Sequence, residues 1–412
     1  MEVVYPRCCG LDLHQRTVVA CLLTPGPRGK PTKEVRTFGT MTDDLLTLSD
    51  WLTAAGCTHV AMESTGVLWK PIFNLLEGSF ELLLVNAYHV KTVPGRKTDV
   101  KDSEWLADLL RHGLLQASFV PDRPQRELRE LTRYRTTLVR ERSAEVNRLQ
   151  KTLEGANIKL GAVASSLVGR SAREMIEGLL ADSPDPASLA ELARGRLREK
   201  LPELERALTG RVGPHQRFLL AQQLAHIDYL DAAVDRISVE IAERLRPFDE
   251  TLARLETIPG VGRRVAEIVA AELGLEVARF PSAAHLAAWV GLAPGNHESA
   301  GKRLSGTTRK GSPWLRTTLV EAAQAAARTK GTYLAAQYRR LAPRRGQKRA
   351  VVAVAHTILV IIYHLLRDQT TYHELGATYF DERERQDVER RLVRRLEALG
   401  NSVTLKPKDP AA

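Results

Sequence analysis

The 412-residue chain contains only four cysteines, Cys8, Cys9, Cys21 and Cys57, all near its N-terminus. None is spaced as C-x-x-C, so neither a zinc site nor a disulfide framework is expected. Reduced thiols in a cytosol are the default. A long apolar run is also missing. The most apolar stretch, Ala350 to Leu366, is interrupted by His356 and His364 and falls short of a membrane span. It predicts a buried core helix, with the two histidines too far apart to share a ligand set. Met1 to Arg7 lacks the charged-then-apolar pattern of a signal peptide. The remaining scarcity is local. Between Ser299 and Arg349 one acid, Glu321, stands against thirteen Lys and Arg. Over the whole chain 60 basic residues face 49 acidic ones, a formal net charge of +11. A surplus concentrated in one stretch predicts contact with the phosphates of a polyanion rather than a merely solvated face.

The first residues read as strands. Val3–Tyr5, Cys8–Leu13 and Thr17–Leu23 are rich in β-branched and apolar residues, and the short link His14-Gln-Arg16 predicts a hairpin. Val35–Gly39 follows as a third strand, and Thr42–Ala55 as a helix with Thr42 as its cap. His59–Met62 reads as strand, Val67–Leu76 as helix and Glu81–Val85 as strand. With the helix that follows, this βββαβαβα order predicts an α/β domain with mixed pairing. Four acids stand out in it. Asp12 interrupts an apolar strand, where a carboxylate is costly unless it sits at a strand end or binds a cation. Glu63 closes the next strand. Asp99 and Asp102 open a helix after the last one, and three residues turn a helix by ~300°, which places both on one face. A divalent cation such as Mg²⁺, one ion or two, would offset their repulsion. Capping and helix-dipole roles explain the same acids without a metal.

In this order the phrases Gly10-Leu-Asp-Leu-His14, Met62-Glu-Ser-Thr-Gly66 and Lys97-Thr-Asp99 with Asp102 resemble the acidic tetrad of a RuvC-like, RNase H-fold nuclease domain. More narrowly, they resemble the N-terminal domain of the IS110-family transposases, or DEDD recombinases. The resemblance implies a catalytic domain over residues 1–120, with Asp12, Glu63, Asp99 and Asp102 as metal ligands.

Residues 121–250 read as helical. Arg126 to Leu153 carries Leu128, Leu131, Leu138, Val146, Leu149 and Leu153 on one face, and Gln216 to Leu245 repeats the pattern. The two long helices predict an antiparallel, coiled-coil-like stalk, within one chain or between two. Arg129, Arg133, Arg135, Arg140, Arg142 and Arg148 on the first helix are expected to face either nucleic acid or solvent. Short helical pieces fill 155–200, broken by Gly161, Gly169, Gly178 and Ser183-Pro-Asp-Pro186.

Residues 251–366 form a further helical region. Thr257-Ile-Pro-Gly-Val-Gly-Arg-Arg264 resembles a helix-hairpin-helix turn. Gly260 and Gly262 would let the backbone approach a phosphate, with Arg263 and Arg264 beside it. A tight turn between packed helices would look the same. Ser282 is a predicted helix cap. Gly291 to Gly301 reads as a loop that runs into Lys302-Arg303 and the basic turn containing Arg309-Lys310, with helix returning at Pro313–Thr329. This block is similar to the C-terminal domain of IS110, IS116 and IS902 transposases. By position the family's nucleophilic serine corresponds to Ser299, although Ala300 separates it from Gly301; Ser305 and Ser312 stay in play. Residues 367–412 form a charged tail with a helix over Asp381–Leu399. The resemblance implies a DNA recombinase working through a phosphoserine link, a structured non-coding bridge RNA as partner, a homodimer or homotetramer, no membrane, and a prokaryotic cytoplasmic, nucleoid-associated setting. A hydrolytic RuvC-like nuclease, in which water attacks, is the rival.

Overall fold

The structure, a computed structural model, describes every residue except Met1, 28–29, 87–89, 91–101, 182–183, 296, 384 and 406–412, with the backbone alone at 297–298, 303–304 and 386–388. The chain divides into two compact units, Met1–Asp122 and Arg123–Ala412.

The first unit is a five-stranded sheet in the order β3-β2-β1-β4-β5. β1 (Cys8–Leu13), β2 (Thr17–Pro25) and β3 (Pro31–Gly39) form an antiparallel meander; β4 (His59–Glu63) and β5 (Glu81–Val85) continue it in parallel with β1. Side chains alternate along a strand, and the sheet uses both faces. Cys9, Leu11 and Leu13 pack on Leu45, Leu48 and Leu52 of α1 (Thr42–Ala54) and on Ile72 of α2 (Trp69–Leu76). Cys8 and Ala61 face the other way, onto Ala107 and Leu110 of α3 (Asp102–Arg111). Burial pushes the thiols of Cys8, Cys21 and Cys57 up to about 12, so these cysteines act as small apolar core residues.

Three local expectations change. Val3–Tyr5 is not a strand; the amides of Val4 and Tyr5 donate instead to Arg111 O, satisfying the end of α3. Thr42 is the first residue of α1 and Met41 the cap, with no side-chain hydrogen bond. The second helix begins at Trp69 rather than Val67.

Among the described residues the regular structure of the second unit is helical apart from one small hairpin and an isolated bridge between Pro294 and Thr308. Two long helices, α4 (Arg123–Gly155) and α9 (Pro214–Leu245), pair antiparallel within one chain. The pairs Glu127–Arg244, Arg135–Ser238, Arg142–Asp231 and Glu145–His226 run in opposite directions along the two. Leu138, Leu230, Ala233 and Val234 fill the seam. At one end the short helices α5 (Leu160–Val163), α6 (Arg170–Gly178), α7 (Pro186–Ala190) and α8 (Leu201–Leu208) close over Leu149, Leu153, Leu220 and Leu224.

At the other end, Leu128, Ile241 and Leu245 enter the largest core. That core is shared with α10 (Asp249–Glu256), α11 (Arg263–Leu273), α12 (Ala283–Val290), α13 (Pro313–Arg328), α14 (Tyr333–Arg345) and α15 (Gln347–Asp368). α15 is 22 residues long, so the apolar stretch does reach spanning length. Its Val354, Ile358, Leu359 and Ile362 are fully buried in this core, as expected of an internal helix. The charged tail is helical on either side of residue 384, over α16 (Tyr379–Arg383) and α17 (Arg385–Ala398). Phe380 stacks on Tyr333 at 5.1 Å and holds α16 against the unit.

Candidate functional site

In the first unit the acids gather by strand register. Leu11 pairs with Met62 across the parallel β1–β4 ladder, so Asp12 and Glu63 come next in step at the carboxyl ends of adjacent strands. They share the α3 face with Gly10 and Ala61, which are paired two residues earlier. Gly10 is the reason α3 lies so close. A Cβ there would meet Ser103 O at 2.3 Å and Ala107 N at 2.5 Å, so the helix backbone rests directly on the strand. Cys8 Sγ meets Ala107 O, and Gly10 meets Ser103. Moving along β1 toward Asp12 therefore moves back along α3 toward its first residue, Asp102. Asp12 is partly exposed, with His14 Nε2 3.2 Å from its carboxylate. Asp102 is exposed and opens α3. Asp99 lies outside the described residues, and among those described no three His, Cys, Asp or Glu side chains converge as a metal site. The structure thus brings Asp12, Glu63 and the start of α3 to one edge of the sheet without closing a three-donor set.

In the second unit Ser299 lies on a hairpin where a loop was expected. β6 (His297–Ser299) and β7 (Lys302–Ser305) pair antiparallel, with Ser299 opposite Lys302. Ala300 at φ 49° and Gly301 at φ 74° are both left-handed, as a two-residue turn matching the strand twist requires. Ser299 is exposed immediately before that turn. The other two serines have structural employment. Ser312 caps α13, accepting from Leu315 N, and donates to Glu272 Oε2 at 3.4 Å. Ser305 Oγ accepts from Thr307 N at 3.2 Å. Lys302, Arg309 and Lys310 are exposed around the hairpin. Arg303 has its backbone in β7.

The Gly260–Gly262 turn does join two helices, α10 and α11. Gly260 has φ 87°, and a Cβ there would lie 2.3 Å from Ala322 O, so this glycine serves close packing on α13. Gly262 caps α11 and opens to free space. Arg263 is held by Asp249, Glu256 and Glu267, while Arg264 is exposed.

Of the arginines of α4, Arg140 and Arg148 are exposed as expected, but Arg129, Arg133 and Arg135 turn to the protein itself. Arg133 grips both oxygens of Glu272, at 2.6 and 2.9 Å, and Arg129 Nε donates to Ala271 O at 2.9 Å. Arg135, 2% exposed, pairs with the equally buried Glu267 at 2.7 Å. Burial pulls Arg129 down to about 10 and outweighs the pull of Glu267 on Arg135. These side chains bolt the stalk to α11. Arg140 instead lies over Trp314 at 5.3 Å, and Arg142 and Arg148 pair with Asp231 and Glu145.

Two family models match the chain, each over one of these sites. A DEDD transposase model of the IS110 type covers residues 9–158, and the model described as transposase IS116/IS110/IS902 family covers 252–339. A probable family 20 transposase of Pseudomonas aeruginosa is 28% identical over 76% of this chain and 85% of that protein. The transposase for insertion sequence element IS1111A of Coxiella burnetii is 28% identical over 70% of this chain and 72% of that protein. With one model spanning the acids of the sheet and the other spanning the serine hairpin, the chain belongs to the IS116/IS110/IS902 family of insertion-sequence transposases.

Proposed function

We propose that this transposase is a DNA recombinase whose first unit has a RuvC-like fold and whose Ser299 forms a covalent link to DNA. The observation that carries the reading is the matched step of Asp12 and Glu63 at the ends of parallel strands, with Gly10 drawing the start of α3 over the same edge. Carboxylate oxygens are the donors hard cations prefer. Asp12, Glu63 and Asp102, joined by Asp99, would hold Mg²⁺, one ion or two. Bound there, the ion would polarise the scissile phosphate and offset charge on the attacking and leaving oxygens.

Ser299 Oγ attacks phosphorus; the new Oγ–P bond forms as one P–O bond of the DNA strand breaks. The serine proton passes to the departing deoxyribose oxygen, which leaves as a hydroxyl. Reversal by the hydroxyl of another strand reseals DNA and frees serine, so bond energy is conserved without ATP. Exposure of Ser299 at the tip of a two-residue turn suits attack on a large substrate. Gly260, Gly262, Arg264, Lys302, Arg303, Arg309 and Lys310 are the proposed nucleic-acid contacts. Arg263 joins them only by releasing its carboxylate partners. A structured RNA would supply sequence choice by base pairing, its shape and phosphates read by the basic surface. Two strands need two active sites, which calls for at least a homodimer. The setting is the cytoplasm of a prokaryote, at the nucleoid.

The test is incubation of the protein with Mg²⁺, cognate RNA and end-labelled element DNA, followed by a denaturing gel. A covalent protein–DNA adduct is expected, lost in Ser299→Ala and kept in Ser305→Ala and Ser312→Ala. Cleavage that persists in Ser299→Ala with no adduct would establish the hydrolytic nuclease instead.

A further inference from the structure

Between the hairpin, α14 and α15 lies a cleft of about 1080 Å³ that no step above uses. Its walls are apolar, from Leu292, Leu341, Val352 and Ala353. Its rim is cationic, from Arg316, Arg345, Lys348 and Arg349, none of which has an ion-pair partner among the described residues. Lys348 and Arg349 occupy the first turn of α15, where the helix dipole disfavours cations. That turn has no acid, and its cap, Gly346, supplies no side-chain bond. An anion seated there would satisfy the free amides and both side chains.

The inner wall is closed by a fixed polar pair. Gln337 Nε2 donates to Thr357 Oγ1 at 2.9 Å, and Thr357 gives its own proton to Ala353 O at 3.1 Å. This fixes the carboxamide and leaves Gln337 Oε1 fully buried with no donor. Gln337 and Thr357 both line the cleft. The site therefore calls for an apolar body and an attached anion. A duplex backbone lying on the rim would satisfy the cations but not reach the apolar walls.

We propose that this cleft receives one nucleotide turned out of its stack, its base between Leu341 and Val352 and its phosphates on Lys348, Arg349, Arg316 and Arg345. Extruding a base is a recognised way for proteins to read or expose it, and unpaired nucleotides bind by such apolar contacts. The inference rests on the reading that this chain handles nucleic acid, but on neither Ser299 nor the metal.

The test uses the full chain with fluorescein-labelled single strands of DNA and of RNA, and a DNA duplex, each about 15 nucleotides long. Every probe is also made with 2-aminopurine, whose emission rises when it leaves the stack. Binding should raise that emission several-fold, and the DNA and RNA arms identify which strand supplies the nucleotide. Ala353→Trp, or Val352→Phe should the first variant fail to fold, should abolish the rise and weaken binding by about tenfold. Lys348→Ala should flatten the salt dependence of affinity. Binding without any emission change, or a rise untouched by both blocking variants, would overturn the cleft assignment alone. Failure to bind every probe would overturn the nucleic-acid reading beneath it as well.

Discussion

Gly10→Ala is the sharpest perturbation of the acidic edge. The added methyl would stand 2.3 Å from Ser103 O, 2.5 Å from Ala107 N and 2.9 Å from Leu106 Cβ. Ordinary carbon contacts need about 3.5 Å, so α3 must withdraw from β1 by roughly 1 Å. Two of the three obstacles are backbone atoms in a regular helix, which no rotamer change can move. Overpacking of this kind costs ~1–3 kcal/mol, offset by ~0.5–1 kcal/mol because alanine suits a strand better than glycine. Each net kcal/mol lowers the melting temperature of a unit this size by about 4 °C. The functional loss should exceed the stability loss. Asp102 travels with α3, and a displacement near 1 Å in a reacting constellation costs on the order of 10² in rate. The assay is Mg²⁺-dependent adduct formation, measured well below the melting temperature, beside a thermal melt. Gly78→Ala is the control. It has φ 89° and nothing within 4 Å, so it carries backbone strain of ~1–2 kcal/mol without moving α3. A Gly10→Ala protein that melts with the parent and reacts at the parent's rate would refute the close approach and the site built on it.

Two further outcomes follow from burial. Arg135→Met leaves Glu267, in the joint between α4 and α11, with only the partly exposed Arg263 as a partner, and should cost ~1–3 kcal/mol in urea unfolding. Adding Glu267→Leu should recover most of that loss; no recovery would mean the pair is not the buried unit described. Burial also lowers the pKa of His356, and of His59, where Glu81 pulls part-way back. The folded chain resists protons that the unfolded chain accepts near pH ~6.5, so this contribution is intact above that value and is lost as pH falls below it. His356→Asn should make the decline in urea midpoint between pH 7.5 and 5 shallower, and an unchanged decline would show that His356 protonates freely in the fold.

What the sequence made legible were residues out of place in their own segment. Asp12 breaks an apolar strand and Glu63 closes one, and the structure sets both on one sheet edge. Apolar runs bounded by turns also marked β1, β2, β4 and β5. Local propensity failed where a distant partner decided the matter. Val3–Tyr5 has strand-forming residues but is consumed by the end of α3, more than a hundred residues away. The β6–β7 hairpin is too short to show alternation, and Ala300 stands where asparagine or glycine would have signalled the turn. Gly10 carried no local sign of its role, because its demand comes entirely from Ser103 and Ala107. The arginines of α4 teach the same lesson about charge. Their spacing defines a basic face, yet Arg129, Arg133 and Arg135 spend it on residues of α11, with Glu272 and Glu267 lying 139 and 132 positions from Arg133 and Arg135. A cluster of cations therefore maps a polyanion surface only where no carboxylates fold onto it. That condition fails along α4 and holds at Arg316, Arg345, Lys348 and Arg349, in the stretch where Glu321 is the single acid. The charge argument for nucleic acid thus belongs first to the C-terminal cleft and hairpin, and the part of the stalk's basic face at Arg129, Arg133 and Arg135 is structural.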